Sequence, residues 1–68
     1  MAGIYKKIEI VGTSPESLSE AVKNAVAEAS KTVRKMSWFE VVEQRGAIKD
    51  GKVLEFQVTI RVGFKIES

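Results

Sequence analysis

Lys52-Val53-Leu54-Glu55-Phe56-Gln57-Val58-Thr59-Ile60-Arg61-Val62-Gly63-Phe64-Lys65-Ile66 is the stretch that decides how this chain folds. Leu54, Phe56, Val58, Ile60, Val62, Phe64 and Ile66 fall on one side of an extended strand. Glu55, Gln57, Thr59, Arg61, Gly63 and Lys65 fall on the other. Apolar residues at a strict period of two specify a strand with one buried face, because a slip of one residue would turn the whole apolar set to water.

Asp50-Gly51, just before this strand, is a hairpin signal, since both central positions of a type I′ turn need positive φ. The partner strand then covers residues 37–48. With a two-residue turn Lys49 faces Lys52, and the pairs keep one sum down the ladder. Ala47 faces Leu54, Gln44 faces Gln57, Val41 faces Ile60, Glu40 faces Arg61, Phe39 faces Val62 and Trp38 faces Gly63. Arg45 is the poor fit, because this register sets it on the core face opposite Phe56. Either a bulge near Gly46 turns part of the strand over, or the side chain reaches past a thin sheet edge.

Upstream, residues 15–35 read as one amphipathic helix. Leu18, Val22, Ala25, Ala29, Val33 and Met36 recur at steps of four or three, with Ala21 widening the stripe. Ser14 or Thr13 caps it, Pro15 suits the first helical position, and Glu16 suits the positive end of the dipole. Lys31, Arg34 and Lys35 gather at the C-terminal end. The small residues Ala21, Ala25 and Ala29 predict a close approach between helix and sheet. The Gly12–Glu16 segment lacks the further glycines and the lysine of a phosphate loop, which leaves it as a helix cap. Residues 4–11, rich in β-branched side chains, make the first strand, with Ile8 and Ile10 on its buried face.

The order is β-α-β-β, an α+β fold. The helix returns the chain, so the first two strands run parallel to each other and antiparallel to the third. A fully antiparallel three-stranded sheet then has the order 1-3-2, packed on one helix as a single domain over residues 1–68. One helix covers one face of the sheet. The other must meet water, a ligand or another copy.

Sixty-eight residues bury a marginal core: a chain of this length hides only about 60% of the surface its unfolded form exposes. The usual supports are disulfides, metals or association. With no Cys and no His, disulfides and thiolate or imidazole zinc sites are excluded. Of metal sites only a carboxylate type survives that test, and association is the support left by elimination, although some small domains fold alone. The net charge of +2 comes from interspersed charges, a weak footprint for a nucleic-acid binder despite a pI near 9.1. No apolar run approaches the length a bilayer requires, and the first residues lack the apolar stretch of a signal peptide. A cytoplasmic protein without membrane or nucleic-acid partners is expected.

On the predicted register the uncovered face carries Trp38, Glu40, Val42, Gln44 and Gly46 beside Gln57, Thr59, Arg61 and Gly63. Trp38 is the only tryptophan. Opposite a glycine, its ring stays accessible and offers a large stacking area. Glutamine amides on the same face supply both donors and acceptors for the edge of a flat heterocycle. The competing reading is plain packing, with Trp38 in a core or subunit contact, Glu40 and Arg61 as a cross-strand ion pair, and the glutamines as ordinary outward residues. Pattern alone favours packing, since a lone Trp in a small domain more often serves a core or subunit contact than a ligand platform.

Val11-Gly12-Thr13-Ser14-Pro15-Glu16-Ser17, Trp38-Phe39-Glu40-Val41, Gln44-Arg45-Gly46, Asp50-Gly51, Phe56-Gln57-Val58 and Val62-Gly63-Phe64 together resemble the dodecins, small flavin-binding proteins of bacteria and archaea. The resemblance covers essentially the whole chain. It implies a hollow homo-dodecamer in which flavin pairs stack between symmetry-related tryptophans, the role that falls on Trp38. It implies that Gln57 hydrogen-bonds the isoalloxazine edge, that Arg45 lies near the ligand tail or a subunit contact, and that Lys65 helps hold a phosphate if the ligand is FMN. FMN is the expected flavin, with riboflavin or FAD as alternatives, and coenzyme A is a possible second ligand. Dodecin-like proteins without the tryptophan are associated with calcium, and Trp38 argues against that branch.

The implied role is flavin storage, sequestration and photoprotection. No catalytic residue is expected, because the chain offers no His, no Cys and no carboxylate pair that pattern sets in a buried pocket. A metal site is not expected either. The rival readings are a flavoenzyme, a nucleic-acid module using its exposed aromatic, and a structural or ion-binding shell without flavin chemistry.

Overall fold

The computed structural model describes residues 3–66. Its elements are β1 (Tyr5–Ser14), α1 (Leu18–Ala29), β2 (Met36–Lys49) and β3 (Lys52–Lys65). The sheet is antiparallel in the order β1-β3-β2, as the alternation and the hairpin predict. A backbone bond from Ile66 N to Ile4 O, 2.9 Å, carries the β1–β3 ladder one step beyond the strand ends.

The hairpin turns at Asp50 (φ 52°) and Gly51 (φ 74°), both in the left-handed region that a type I′ turn demands. Lys49 pairs with Lys52, and Trp38, Phe39, Glu40 and Val41 pair with Gly63, Val62, Arg61 and Ile60 as expected. Between these two segments the register is displaced by one. An extra residue in β3, Leu54, and an extra residue in β2, Val42, form two bulges whose shifts cancel. A further irregularity separates Met36 from Trp38.

The displaced segment corrects three predicted pairings. Gln44 faces Val58, Arg45 faces Gln57, and Ala47 faces Glu55. Paired residues share a face, so Arg45 leaves the core side and joins Gln57 on the face away from the helix, while Gln44 and Gly46 turn to the helix side. Two bulges bound the segment: Leu54 in β3, next to Gly46 and Ala47, displaces it, and Val42 in β2 restores the expected register. Bulges re-aim side chains in this way at the cost of one unpaired residue.

The helix is shorter than its periodicity suggests at both ends. β1 runs on to Ser14, whose buried hydroxyl accepts from Glu16 N at 2.9 Å. Pro15, with no N–H to give the ladder, stands after the last strand residue. The cap is therefore Ser17, not Ser14 or Thr13. Its Oγ accepts from Glu20 N at 3.0 Å, and Ser17-Leu18-Ser19-Glu20 has the capping-box spacing. At the other end Ser30 closes the helix, its Oγ donating to Ala27 O at 2.7 Å. Lys31, Arg34 and Lys35 accordingly lie beyond the helix in the connection to β2. That connection reverses at Lys35 (φ 60°), whose carbonyl accepts from Lys65 N at 3.2 Å.

Ala21, Ala25, Val58, Ile60 and Val62 are the buried core, and Ile8, Ile10, Leu18, Val22, Val26 and Met36 pack around it. Gly12 is what lets the helix come so close. A Cβ there would collide with the carbonyl oxygen of Ala21 and stand 2.7 Å from the Ala25 Cβ. The alanine stripe and this glycine are two sides of one contact.

The helix packs on β1 and β3, and β2 lies beyond it. Phe39 stays 47% exposed, Val41 44% and Ile48 76%. The chain measures 54 × 20 × 13 Å, a slat whose far end is a bare hairpin. Burying one such side chain fully is worth about 1.5–3 kcal/mol, so the exposed apolar surface of the β2–β3 ribbon strongly favours association.

Candidate functional site

The face away from the helix divides into two clusters separated by a band of charge. At one end the Trp38 ring lies directly over Gly63, so that a Cβ on Gly63 would fall within the indole. Tyr5, at the start of β1, packs against the far side of this group, with ring centroids 5.2 Å apart and planes inclined at 58°. The tilt is one that aromatic pairs favour. Trp38 nevertheless remains 42% exposed: glycine beneath and tyrosine beside it steady an indole that still faces outward. Lys65, paired with Tyr5 and two residues past Gly63, shares this end of the face.

The other cluster is built on Gln57. Arg45 Nε donates to its Oε1 at 2.7 Å, and its Nε2 donates to Glu55 Oε2 at 2.7 Å. Thr13 pairs with Gln57 from β1 and closes the row. Gln57 and Gly63 lie six residue steps apart on β3, about 20 Å at strand rise. The structure thus brings Arg45 to Gln57 and Lys65 to the neighbourhood of Trp38, and holds the two groups apart within one chain.

Between them lie Lys7, Glu9, Glu40 and Arg61. Glu40 and Arg61 are directly opposed on the ladder, yet both bonds of this band go to β1. Lys7 Nζ meets Glu40 Oε1 at 2.6 Å across β3, and Arg61 Nε donates to Glu9 Oε1 at 3.0 Å. This replaces the simple Glu40–Arg61 pair expected from register. The hydrogen bond from Lys7 and the charge of Lys7 lower the Glu40 carboxyl below its ordinary value. Desolvation opposes them, and the Arg61 charge adds a smaller lowering.

Tyr5, Glu55 and Lys7 are site residues that pattern did not single out. Only the β1–β3 register, which no short turn ties down, brings Tyr5 and Lys7 beside Trp38 and Glu40. Among the described residues no group of three or more His, Cys, Asp or Glu side chains is gathered to hold a metal ion. No described helix is long and apolar enough to cross a membrane.

The chain matches the sequence model of the family described as Dodecin over residues 4–67. It is 51% identical over 67 residues to the dodecin of Thermus thermophilus, spanning 98% of this chain and 97% of that protein. It is 33% identical over 63 residues to the calcium dodecin of Mycobacterium tuberculosis, spanning 93% of this chain and 89% of that one. Among solved structures, dodecin from Streptomyces coelicolor superposes with a TM-score of 0.94 at 48% identity, covering 97% of this chain and 94% of that chain. Dodecin from Streptomyces davaonensis gives 0.95 at 43% identity, with both chains covered in full. Sequence match, identity and topology agree along nearly the whole length, and the chain belongs to the dodecin family.

Proposed function

We propose that this chain binds a flavin and stores it, shielding it from light in a homo-dodecameric shell, without catalysing its turnover. The observation that carries this reading is the outward-facing Trp38 indole, laid over Gly63 and steadied by Tyr5, which still leaves it 42% exposed. A planar ligand stacking there buries ring against ring. Gln57 adds an amide with one acceptor and one donor position left after its contacts with Arg45 and Glu55. These groups fit an aromatic heterocycle with a polar edge. FMN is the favoured ligand, with riboflavin and FAD as close alternatives, because Lys65 stands on the same face near Trp38 to meet a phosphate.

Trp38 and Gln57 are too far apart along one sheet for a single ring to touch both, so the site draws them from different copies. This agrees with the exposed apolar ribbon, which needs covering. When bound, the isoalloxazine supplies the light absorption and the electron-accepting excited state. The chain's own part is to stack, orient and cover it, and the indole can quench that state by electron transfer. A cytoplasmic protein holding free flavin in reserve is the simplest role of this kind.

Calorimetric titration of the assembled protein with riboflavin, FMN and calcium chloride tests the reading. Saturable flavin binding with no calcium heat supports it. Calcium binding without flavin binding would turn it toward the relative named calcium dodecin, and sustained NAD(P)H oxidation by the flavin-loaded protein would make it an enzyme.

A further inference from the structure

We infer that Arg45 and Glu55 are positioning residues that lock the Gln57 carboxamide in one orientation and so set which edge of a heterocycle it accepts. The inference rests on the flavin-binding reading above. A glutamine amide has an acceptor oxygen and a donor nitrogen of nearly equal shape, and in isolation it presents either order to a ligand. Here the two partners are of opposite kind. The Arg45 guanidinium only donates, and it holds Oε1 at 2.7 Å; the Glu55 carboxylate only accepts, and it holds Nε2 at 2.7 Å. Turning the amide over would set donor against donor on one side and oxygen against carboxylate on the other.

The fold builds this lock deliberately into the sheet. Glu55 precedes Gln57 by two residues on β3 and therefore shares its face. Arg45 is directly opposite Gln57 because it lies between the bulges at Leu54 and Val42, where the register is displaced by one; in an unbulged ladder it would face Phe56 on the helix side. Once both partners are engaged, Oε1 keeps one lone pair and Nε2 one N–H. The matching ligand edge has a ring N–H beside a carbonyl, as in the pyrimidinedione edge of an isoalloxazine. A ring methylated on that nitrogen has no hydrogen for Oε1, and the locked amide cannot turn over to avoid it.

The test is fluorescence titration of riboflavin and N3-methylriboflavin into the assembled wild type, Arg45→Leu, Glu55→Ala, Gln57→Leu and the Arg45→Leu/Gln57→Leu double variant, each checked for size by gel filtration. The wild type should prefer riboflavin by roughly five- to tenfold, the worth of about one hydrogen bond. That preference should shrink to about twofold in Arg45→Leu and in Glu55→Ala, since an unlocked amide can adapt. Arg45→Leu should add nothing once Gln57 is Leu. Equal loss for both ligands in Arg45→Leu, or an undiminished Arg45 effect in the Gln57→Leu background, would overturn the lock. Absence of any flavin binding by the wild type would overturn the function from which it starts, a different and separable failure.

Discussion

The indole of Trp38 occupies the space that a side chain at position 63 would fill, and Gly63 is the residue directly across the ladder from it. The two positions form one feature: a stacking surface on one strand and its clearance on the next. Glycine is usually a weak choice for the interior of a central strand, and here the close approach of the ring accounts for it.

Gly63→Ala should therefore displace Trp38. Overpacking a buried strand position costs about 1–3 kcal/mol, and relief by rotation of the indole would strip the contact with Tyr5. A lower thermal midpoint, together with a shifted tryptophan emission maximum, is expected. An unchanged emission spectrum at wild-type stability would show that the ring does not lie where the clearance is.

The charged band next to Trp38 should make the protein sensitive to acid through Glu40. Its folded-state carboxyl lies below its ordinary value of 4.5, chiefly because of Lys7. A depressed value means that the contribution to stability is complete above the unfolded value and is lost as pH falls through the folded one. The difference in thermal midpoint between wild type and Glu40→Gln should be constant from neutral pH to about 5 and shrink at lower pH. Lys7→Met should shrink it in the same way, and a difference independent of pH would contradict the pairing.

At the hairpin, Gly51 holds φ 74° with nothing within 4 Å of a Cβ built there. Substitution by Ala meets no steric neighbour, so its whole cost is the left-handed backbone, about 1–2 kcal/mol. Thermal unfolding of Gly51→Ala measures it, and Gly51→Asn, a residue that tolerates this conformation, should lose less.

Much of this arrangement is legible in the residues themselves. The period-two run of β3 specifies the central strand, and Asp50-Gly51 specifies the hairpin that aligns β2 to it. Counting back from that turn puts Trp38 opposite Gly63 correctly, but only because the bulges at Leu54 and Val42 cancel. Arg45 lies between those bulges and is therefore misplaced by the same count. Val41-Val42 carries no mark of a bulge, since both residues are β-branched and both suit a strand. The helix start is misread for a different reason: Ser14-Pro15 competes with Ser17-Glu20, and only the extension of β1 to Ser14 decides between them. Tyr5 beside Trp38 depends on the β1–β3 register, which no short turn fixes; the alanine stripe predicts a close approach but does not say that Gly12 is the β1 residue that meets it.

In the assembled protein the Trp38 ring should act as a flavin-stacking surface. Titrating riboflavin into wild type and into Trp38→Ala, with gel filtration to show that both keep the same oligomeric size, measures it most directly through flavin fluorescence. The expected result is strong quenching at saturating wild-type protein and its loss in Trp38→Ala. Riboflavin that binds the wild type with its fluorescence intact, or that is quenched equally by Trp38→Ala, would contradict it.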